Sequence, residues 1–369
     1  MALPLGAGRK IWHTRLSHLE RALHEDQHPR SGRKRPQAPG PRGQSMTLPL
    51  AFLGAGAFGT ALAMVMAKHG RDTLLWGRPG AAMTEVIARR ENARHLPGLP
   101  FPRDLRVSDD IGALPDQAVV LLTVPTQSLR SLLESVKGQL RGHVLVACCK
   151  GVERGTGLLP TEVIESVLPG QRAAVLTGPS FAADIATGKP TALTLATRDS
   201  EGEMLQALLS GPALRLYLSD DPTGAQLGGA LKNVVAIAAG IAVGAGLGES
   251  ARAALMTRGF AEMVRFAVTR GARQDTLFGL SGFGDMVLTC TSTQSRNLRH
   301  GLAVGSGQPV DPAMTVEGVM TAHAVAEATT GGDLPVTRMV SALLKDQISL
   351  ADAVEALLSR PLRREADEA

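Results

Sequence analysis

Ten residues near position 50 constrain this chain more than any other stretch. Leu50-Ala51-Phe52-Leu53 is a short apolar run that feeds directly into Gly54-Ala55-Gly56-Ala57-Phe58-Gly59, and Thr60 to Met66 continue as a helix-like segment. Gly54 permits a tight strand-to-helix turn, Gly56 offers no Cβ to block an approaching pyrophosphate, and Gly59 lets the helix lie close on the strand. The free N–H groups at the helix N-terminus favour an anion. The glycines alone are weak evidence; between a strand and a helix they predict a dinucleotide site.

The end of the second strand refines the cofactor. A site for NAD usually places Asp or Glu about twenty residues further on, to hold the ribose hydroxyls. Here Thr73-Leu74-Leu75-Trp76-Gly77 runs into Arg78, and no carboxylate follows until Glu85. A guanidinium pairs with a 2′-phosphate, which points to NADP(H), with NAD(H) the second choice. The competing reading of Arg78 is an exposed residue closing a loop.

A length of 369 residues exceeds one ordinary core and implies two domains with additions. The pI of about 9.4 suggests nucleic-acid binding until the charges are located. Residues 1–45 hold nine Lys/Arg against Glu20, Glu25 and Asp26, so this segment carries +6 and the rest of the +5 chain about −1. With 3% aromatic residues, that near-neutral remainder offers little for base stacking, and no nucleic-acid partner is expected. Residues 1–45 read as a disordered basic leader, because a Pro/Gly/Arg-rich stretch cannot bury enough apolar surface to fold. They lack the apolar core of a secretory signal; a transit peptide and a natural start at Met46 are the two readings. Cys148, Cys149 and Cys290 provide no disulfide framework, which fits a reducing, cytoplasmic setting, and neither His nor Cys shows metal-ligand spacing.

Strand and helix patterns alternate from Leu48 to Asp220. After the first two strands come apolar runs at 118–124, 144–148, 173–176, 191–196 and 214–218, separated by amphipathic segments at 128–136, 161–168 and 201–209. This predicts a Rossmann-type, doubly wound parallel sheet covered on both faces, in a domain spanning 46–221. Ligands gather at the carboxyl ends of such strands, so Thr123-Val124-Pro125, Lys150-Gly151 and Gly178-Pro179-Ser180-Phe181 should face one crevice. Beyond Pro222 the strand signals vanish, which predicts an all-α domain over 222–361 and a disordered tail over 362–369. The small-residue run 224–248 has Gly240, Gly244 and Gly248 at GxxxG spacing, but Lys232 and Asn233 interrupt it and Ala dominates it. A buried central helix is expected rather than a membrane span. The glycine-rich helical region would support a homodimer.

Lys232 carries the sharpest chemical signal. An ammonium inside an apolar helix must pair, snorkel or work, and burial lowers its pKa towards the range useful for proton transfer. Reducing a carbonyl by hydride requires such a donor at the forming alkoxide; a lysine snorkelling at a domain boundary is the alternative. Asp285, in the glycine-rich turn Ser281-Gly282-Phe283-Gly284-Asp285, would orient Lys232 or cap a helix. Lys150 follows a buried strand and should project into the cofactor crevice. Ser295-Arg296-Asn297 brings a hydroxyl, a guanidinium and an amide together, a combination suited to a phosphate and equally to a solvated surface.

Gly54–Gly59, Lys150-Gly151, Gly178–Ala182, Leu227–Val234, Gly284-Asp285 with Leu288–Thr291, Ser295–Asn297 and Val316-Glu317-Gly318 occur in one order. In that order and over about 48–358, the chain resembles the bacterial soluble NAD(P)-dependent glycerol-3-phosphate dehydrogenase family. The resemblance implies a helical domain like that of 6-phosphogluconate dehydrogenase. It also implies reversible reduction of dihydroxyacetone phosphate, a small phosphate substrate, in support of glycerophospholipid synthesis. By resemblance Lys232 is the proton donor, Lys150 contacts cofactor and substrate, and Gly178 and Ser180 line the substrate site. Asp285, Ser295, Arg296 and Asn297 would hold glycerol phosphate; Ala57, Phe58, Arg78, Ala182, Arg296 and Glu317 would touch the cofactor. Thr126 and Ser180 depart from the family's commoner serine and threonine but keep short polar side chains. The alternatives are a β-hydroxyacid dehydrogenase, which places its asparagine one helical turn after the lysine rather than adjacent as Asn233 is, and a non-catalytic NADP-sensing protein.

Overall fold

Alternating apolar runs and amphipathic segments build one eight-stranded sheet. The computed structural model describes residues 48–358 except 313 and 330–333, with side chains to 355. The leader (1–45) and the tail (362–369) lie outside the described residues. The strands are β1 (Leu50–Leu53), β2 (Thr73–Trp76), β3 (Leu105–Ser108), β4 (Val119–Leu122), β5 (Val144–Ala147), β6 (Ala173–Thr177), β7 (Thr191–Ala196) and β8 (Leu214–Ser219). Their order is β3-β2-β1-β4-β5-β6-β7-β8. The strand order reverses next to β1, and the crevice at that point receives the glycine loop.

The sheet's helices are α1 (Ala57–Lys68), α2 (Ala81–Arg89), α3 (Leu129–Ser135), α4 (Lys137–Leu140), α5 (Pro160–Val167), α6 (Ala182–Ala186) and α7 (Gly202–Leu209). Because β1, β2, β4 and β5 are buried at every position, the strands read as continuous apolar runs. Phe52, Leu75, Val119 and Val146 pack with α1 on one face. Leu53, Leu74, Val120 and Leu145 pack with α3 and α5 on the other.

Two features differ from the expected parallel sheet. β3 is an additional edge strand, and its Arg106 is exposed and paired with Asp72, so no continuous apolar run marks it. β1 to β6 are parallel, but β6 pairs β7 antiparallel, and β7 and β8 run together. The physical reason is the length of α6: five helical residues rise only about 7–8 Å, whereas a five-residue strand spans about 17 Å. Such a helix cannot carry the chain back along the sheet, so β7 starts from the end where β6 stopped. On the open edge, the Leu216 carbonyl accepts from Gln206 Nε2 (2.8 Å) and the Leu214 carbonyl from the Gly211 amide, which blunts further strand pairing.

Among the described residues, helices alone follow Ser219. They are α8 (Pro222–Gly244), α9 (Gly248–Thr269), α10 (Gln274–Phe278), a π-helical turn Leu280–Gly284, α11 (Asp285–Thr291), α12 (Arg296–Gly305), α13 (Glu317–Ala328), α14 (Pro335–Leu344) and α15 (Leu350–Leu358). Asp221 caps α8 by accepting from Gly224 N. Among the described residues one helix, α8, is long and apolar enough to cross a membrane, but 89% of its apolar window is buried inside the protein. A Cβ on Gly240 would sit 2.3 Å from Leu298 O, and on Gly301 2.2 Å from Ile237 O. Gly244 and Gly305 meet the opposing helix equally closely, so two GxxxG faces bring α8 and α12 backbone to backbone. Gly248 instead turns the chain at φ +84°. Gly240 and Gly244 are thus occupied within the chain.

Candidate active site

The glycine loop is built as its sequence requires. Gly54 adopts φ +126°, where a Cβ would meet the Thr123 backbone at 2.9 Å. On Gly59 a Cβ would lie 2.3 Å from both Gly54 O and Thr123 Oγ1. Thr123, at the end of β4, fixes the turn by donating from Oγ1 to Gly54 O (2.8 Å). Gly56 differs: its Cβ would meet only Thr123 O at 3.9 Å, leaving its side of the loop open. No side chain caps α1, so its first N–H groups are available to an anion. This uncapped cradle fits a dinucleotide pyrophosphate. Ala57 and Phe58 begin α1, Ala182 begins α6, and all three pack on one apolar cluster.

Arg78 lies just past β2, exposed and without a hydrogen bond or ion pair to another described residue. Gly77, before it, lies beside the loop: a Cβ there would be 3.1 Å from Ala55 Cβ. The loop has a brace that its sequence pattern did not reveal. Buried Asn92 donates to Ala55 O (2.8 Å) and Thr60 Oγ1 (2.9 Å). His95, three residues on, is exposed and within electrostatic range of Arg296.

The second half of the site joins the sheet to the helical region. Lys150, after β5, donates from Nζ to Asp285 Oδ2 (2.6 Å) and to Gly178 O (2.9 Å). Lys232, midway along α8, donates to Asp285 Oδ1 (2.9 Å) and Thr289 Oγ1 (2.6 Å). One carboxylate therefore bridges two ammonium groups, leaving the cluster a net positive charge. Lys232 is 6% exposed and Asp285 1%. Burial pulls the Lys232 pKa down to about 8; the nearby Lys150 charge adds to the fall, while the charge of Asp285 and its hydrogen bond oppose it. Thr289 donates in turn to Asp285 O (2.6 Å), which leaves its oxygen free to accept from Lys232. A threonine four residues after an aspartate in a helix is too ordinary to have singled it out.

Gly178 holds φ +137°, so its carbonyl faces Lys150; Ser180 Oγ reaches the same oxygen at 3.4 Å. Ser295 is the N-cap of α12, accepting from Leu298 N (3.2 Å), and Arg296 is the first residue of that helix and exposed. Asn297 is buried and engaged at both ends of its amide. Its Nδ2 donates to Asn233 Oδ1 (2.9 Å), and its Oδ1 accepts from Gly318 N (3.0 Å). Asn297 thus ties α12 to α8 and α13. Glu317 begins α13; its Oε1 accepts from Thr126 N (3.2 Å), and burial raises its carboxyl pKa. Its Oε2 is buried beside Gly151 and the Thr126 hydroxyl, where a Cβ on Gly151 would sit 2.8 Å from it. The three predicted loops adjoin one another, Lys150 reaching Gly178 O and Gly151 lying against Thr126, with Lys232, Asp285 and Glu317 meeting them from the helical side.

Known proteins resemble the chain over most of its length. The model of the NAD-dependent glycerol-3-phosphate dehydrogenase N-terminus matches residues 49–203, and that of its C-terminus matches 221–355. A glycerol-3-phosphate dehydrogenase (NAD(P)+) of Ruegeria sp. is 53% identical over 319 residues, covering 86% of this chain and 99% of the relative. The one from Cereibacter sphaeroides is also 53% identical, over 86% of this chain and all of the relative. The crystal structure of glycerol-3-phosphate dehydrogenase from Coxiella burnetii superposes with a TM-score of 0.80 at 38% identity, covering 85% of this chain and 99% of that one. The glycine cradle, the two lysines on one aspartate and these matches together make the chain a member of the NAD-dependent glycerol-3-phosphate dehydrogenase family.

Proposed function

We propose that this chain reduces dihydroxyacetone phosphate reversibly to sn-glycerol 3-phosphate with NAD(P)H, in the cytoplasm, supplying glycerophospholipid synthesis. The observation that carries the reading is the bridge Lys150–Asp285–Lys232, a buried proton donor beside a second positive charge. Residues 46–221 form the cofactor domain and 222–361 the substrate and catalytic domain. Supporting that division, β8 ends at Ser219 and α8 begins at Pro222.

Gly54, Gly56, Ala57, Phe58 and Gly59 would hold the pyrophosphate, with Arg78, Lys150, Ala182, Arg296 and Glu317 as further cofactor contacts. When bound, the nicotinamide supplies the hydride that reduces the C2 carbonyl. Lys232 Nζ holds the proton that the new alkoxide oxygen takes up. Asp285 keeps that ammonium charged and aimed, and Lys150 adds positive potential in a water-poor site. Gly178, Ser180, Ser295 and Asn297 shape the pocket, and Arg296 pairs with the phosphate, whose binding energy positions the carbonyl.

The discriminating assay is NADPH oxidation with dihydroxyacetone phosphate, with 3-oxoacids, and with no substrate. Turnover with the phosphate ester alone is expected; a preference for 3-oxoacids, or no turnover, would overturn the reading. The finer cofactor assignment, NADP(H), rests on Arg78. The wild type is expected to prefer NADPH, and Arg78→Ala to raise the KM for NADPH about tenfold or more, one good charge-assisted contact, with little change for NADH. A tenfold preference for NADH in the wild type would reverse it.

A further inference from the structure

The π-helical turn Leu280–Gly284 stands directly before Asp285. Its signature hydrogen bond runs from Gly284 N to Gly279 O (3.1 Å), five residues back. A π turn holds one residue more than an α turn, which rotates whatever follows by about 100° relative to a continuous α-helix. The direction of the Asp285 side chain therefore depends on this turn being kept.

Two contacts border it. One is Gly228 of α8, one helical turn before Lys232 and on the same face. A Cβ on Gly228 would sit 2.8 Å from Ser281 O and 2.9 Å from Gly282 Cα. The turn therefore lies against the bare backbone of α8. From α9, Phe260, 9% exposed, meets Phe283 of the turn edge-to-face at 5.3 Å and Phe278 of α10 at 5.1 Å. Within the turn, Gly282 lies on Leu277 O, where a Cβ would be 2.0 Å away.

We infer that Gly228 and Phe260 are positioning residues that clamp the π turn, and that this clamp sets the reach of Asp285 to Lys232. Asp285 Oδ1 accepts from Lys232 Nζ at 2.9 Å, an ordinary hydrogen bond that a shifted turn would lengthen. A methyl group on Gly228 needs several tenths of an ångström from backbone atoms that have no rotamer to give. Asp285 would withdraw from Lys232 while Lys150, on a different element, stayed where it is.

This inference rests on Lys232 being the proton donor, and the test separates the two. The groups facing Lys232 are Asp285, Lys150, Thr289 and Cys290. Burial pushes the Cys290 thiol up to about 12, so it does not titrate in the range measured. In kcat/KM for dihydroxyacetone phosphate reduction, a basic limb that vanishes in Lys232→Met identifies the limb. Given that limb, Gly228→Ala is expected to move it down by roughly one pH unit, as for partial loss of an opposite charge. It should also lower kcat roughly 10–100-fold, with NADPH affinity held within threefold. If Gly228→Ala does not fold, Phe260→Leu, which keeps an apolar side chain in the core, is read the same way, with a smaller downward shift expected. A limb unmoved in the folded variant, whatever its kcat, overturns the clamp. A wild-type limb that persists in Lys232→Met overturns the donor assignment instead.

Discussion

At Lys232 two opposing effects set the chemistry. Burial strips water from the ammonium and draws its pKa to about 8, while Asp285 at 2.9 Å works to keep it charged. The balance can be displaced in either direction. Asp285→Asn removes the stabilising charge, so the basic limb of the reduction profile should move below 8 and kcat should fall. Lys150→Met removes a repelling charge, so the limb should move above 8, even as turnover drops for want of electrostatic stabilisation. Rate profiles over pH 6–10 check both; shifts of the same sign in the two variants would contradict the coupling. Lys232 was legible because a lone lysine in an apolar helix is a costly choice that requires a reason. Thr289 and Asn92 were not, since short polar residues are common in helices and turns and acquire their partners only in three dimensions.

Among the elements, the contact between α8 and α12 matters most, because α8 carries Lys232 and α12 begins with Arg296. The GxxxG spacing on α8 was visible in the sequence, but its partner glycines Gly301 and Gly305 were not identified as such. Pairing two small-residue faces is a tertiary fact that one helix cannot announce. Gly240→Ala places a methyl 2.3 Å from Leu298 O and should destabilise the fold by about 1–3 kcal/mol through overpacking. It should also raise the KM for dihydroxyacetone phosphate more than that for NADPH, because it displaces α12, which carries Arg296, the residue proposed to bind the phosphate. Urea unfolding and steady-state kinetics check this; unchanged stability would contradict the close packing. β3 escaped detection because one face is solvated, and the reversal of β7 because direction depends on the length of α6 rather than on any strand residue.

At the scale of the molecule, the sheet supplies the glycine cradle, Lys150 and Gly178, and the helical region supplies Lys232, Asp285, Arg296 and Glu317. The fold class was readable because strand and helix periods alternate and then stop at Ser219. The bridging of two lysines by one carboxylate was not, because residues 150, 232 and 285 share no local pattern. Cofactor placement can be tested without turnover. NADPH at one hundred times its Kd should stabilise the protein by about 2.7 kcal/mol. In Gly56→Val, whose side chain would enter the open side of the loop, the NADPH-induced rise in Tm should vanish while the Tm without NADPH stays near wild type. A retained rise would move the cofactor elsewhere.

The central claim is that Lys232 delivers the proton. Reduction needs the charged amine, so kcat/KM should fall as pH rises through about 8, and the reverse oxidation, which needs the neutral amine, should rise over the same interval. The most direct measurement is the pair of pH profiles for wild type and Lys232→Met with NADPH and dihydroxyacetone phosphate. The account predicts a limb near 8 in the wild type, its loss in the variant, and a kcat lower by roughly 10²–10⁴-fold with NADPH binding intact. Near-normal turnover in Lys232→Met, or an unchanged limb, would contradict it.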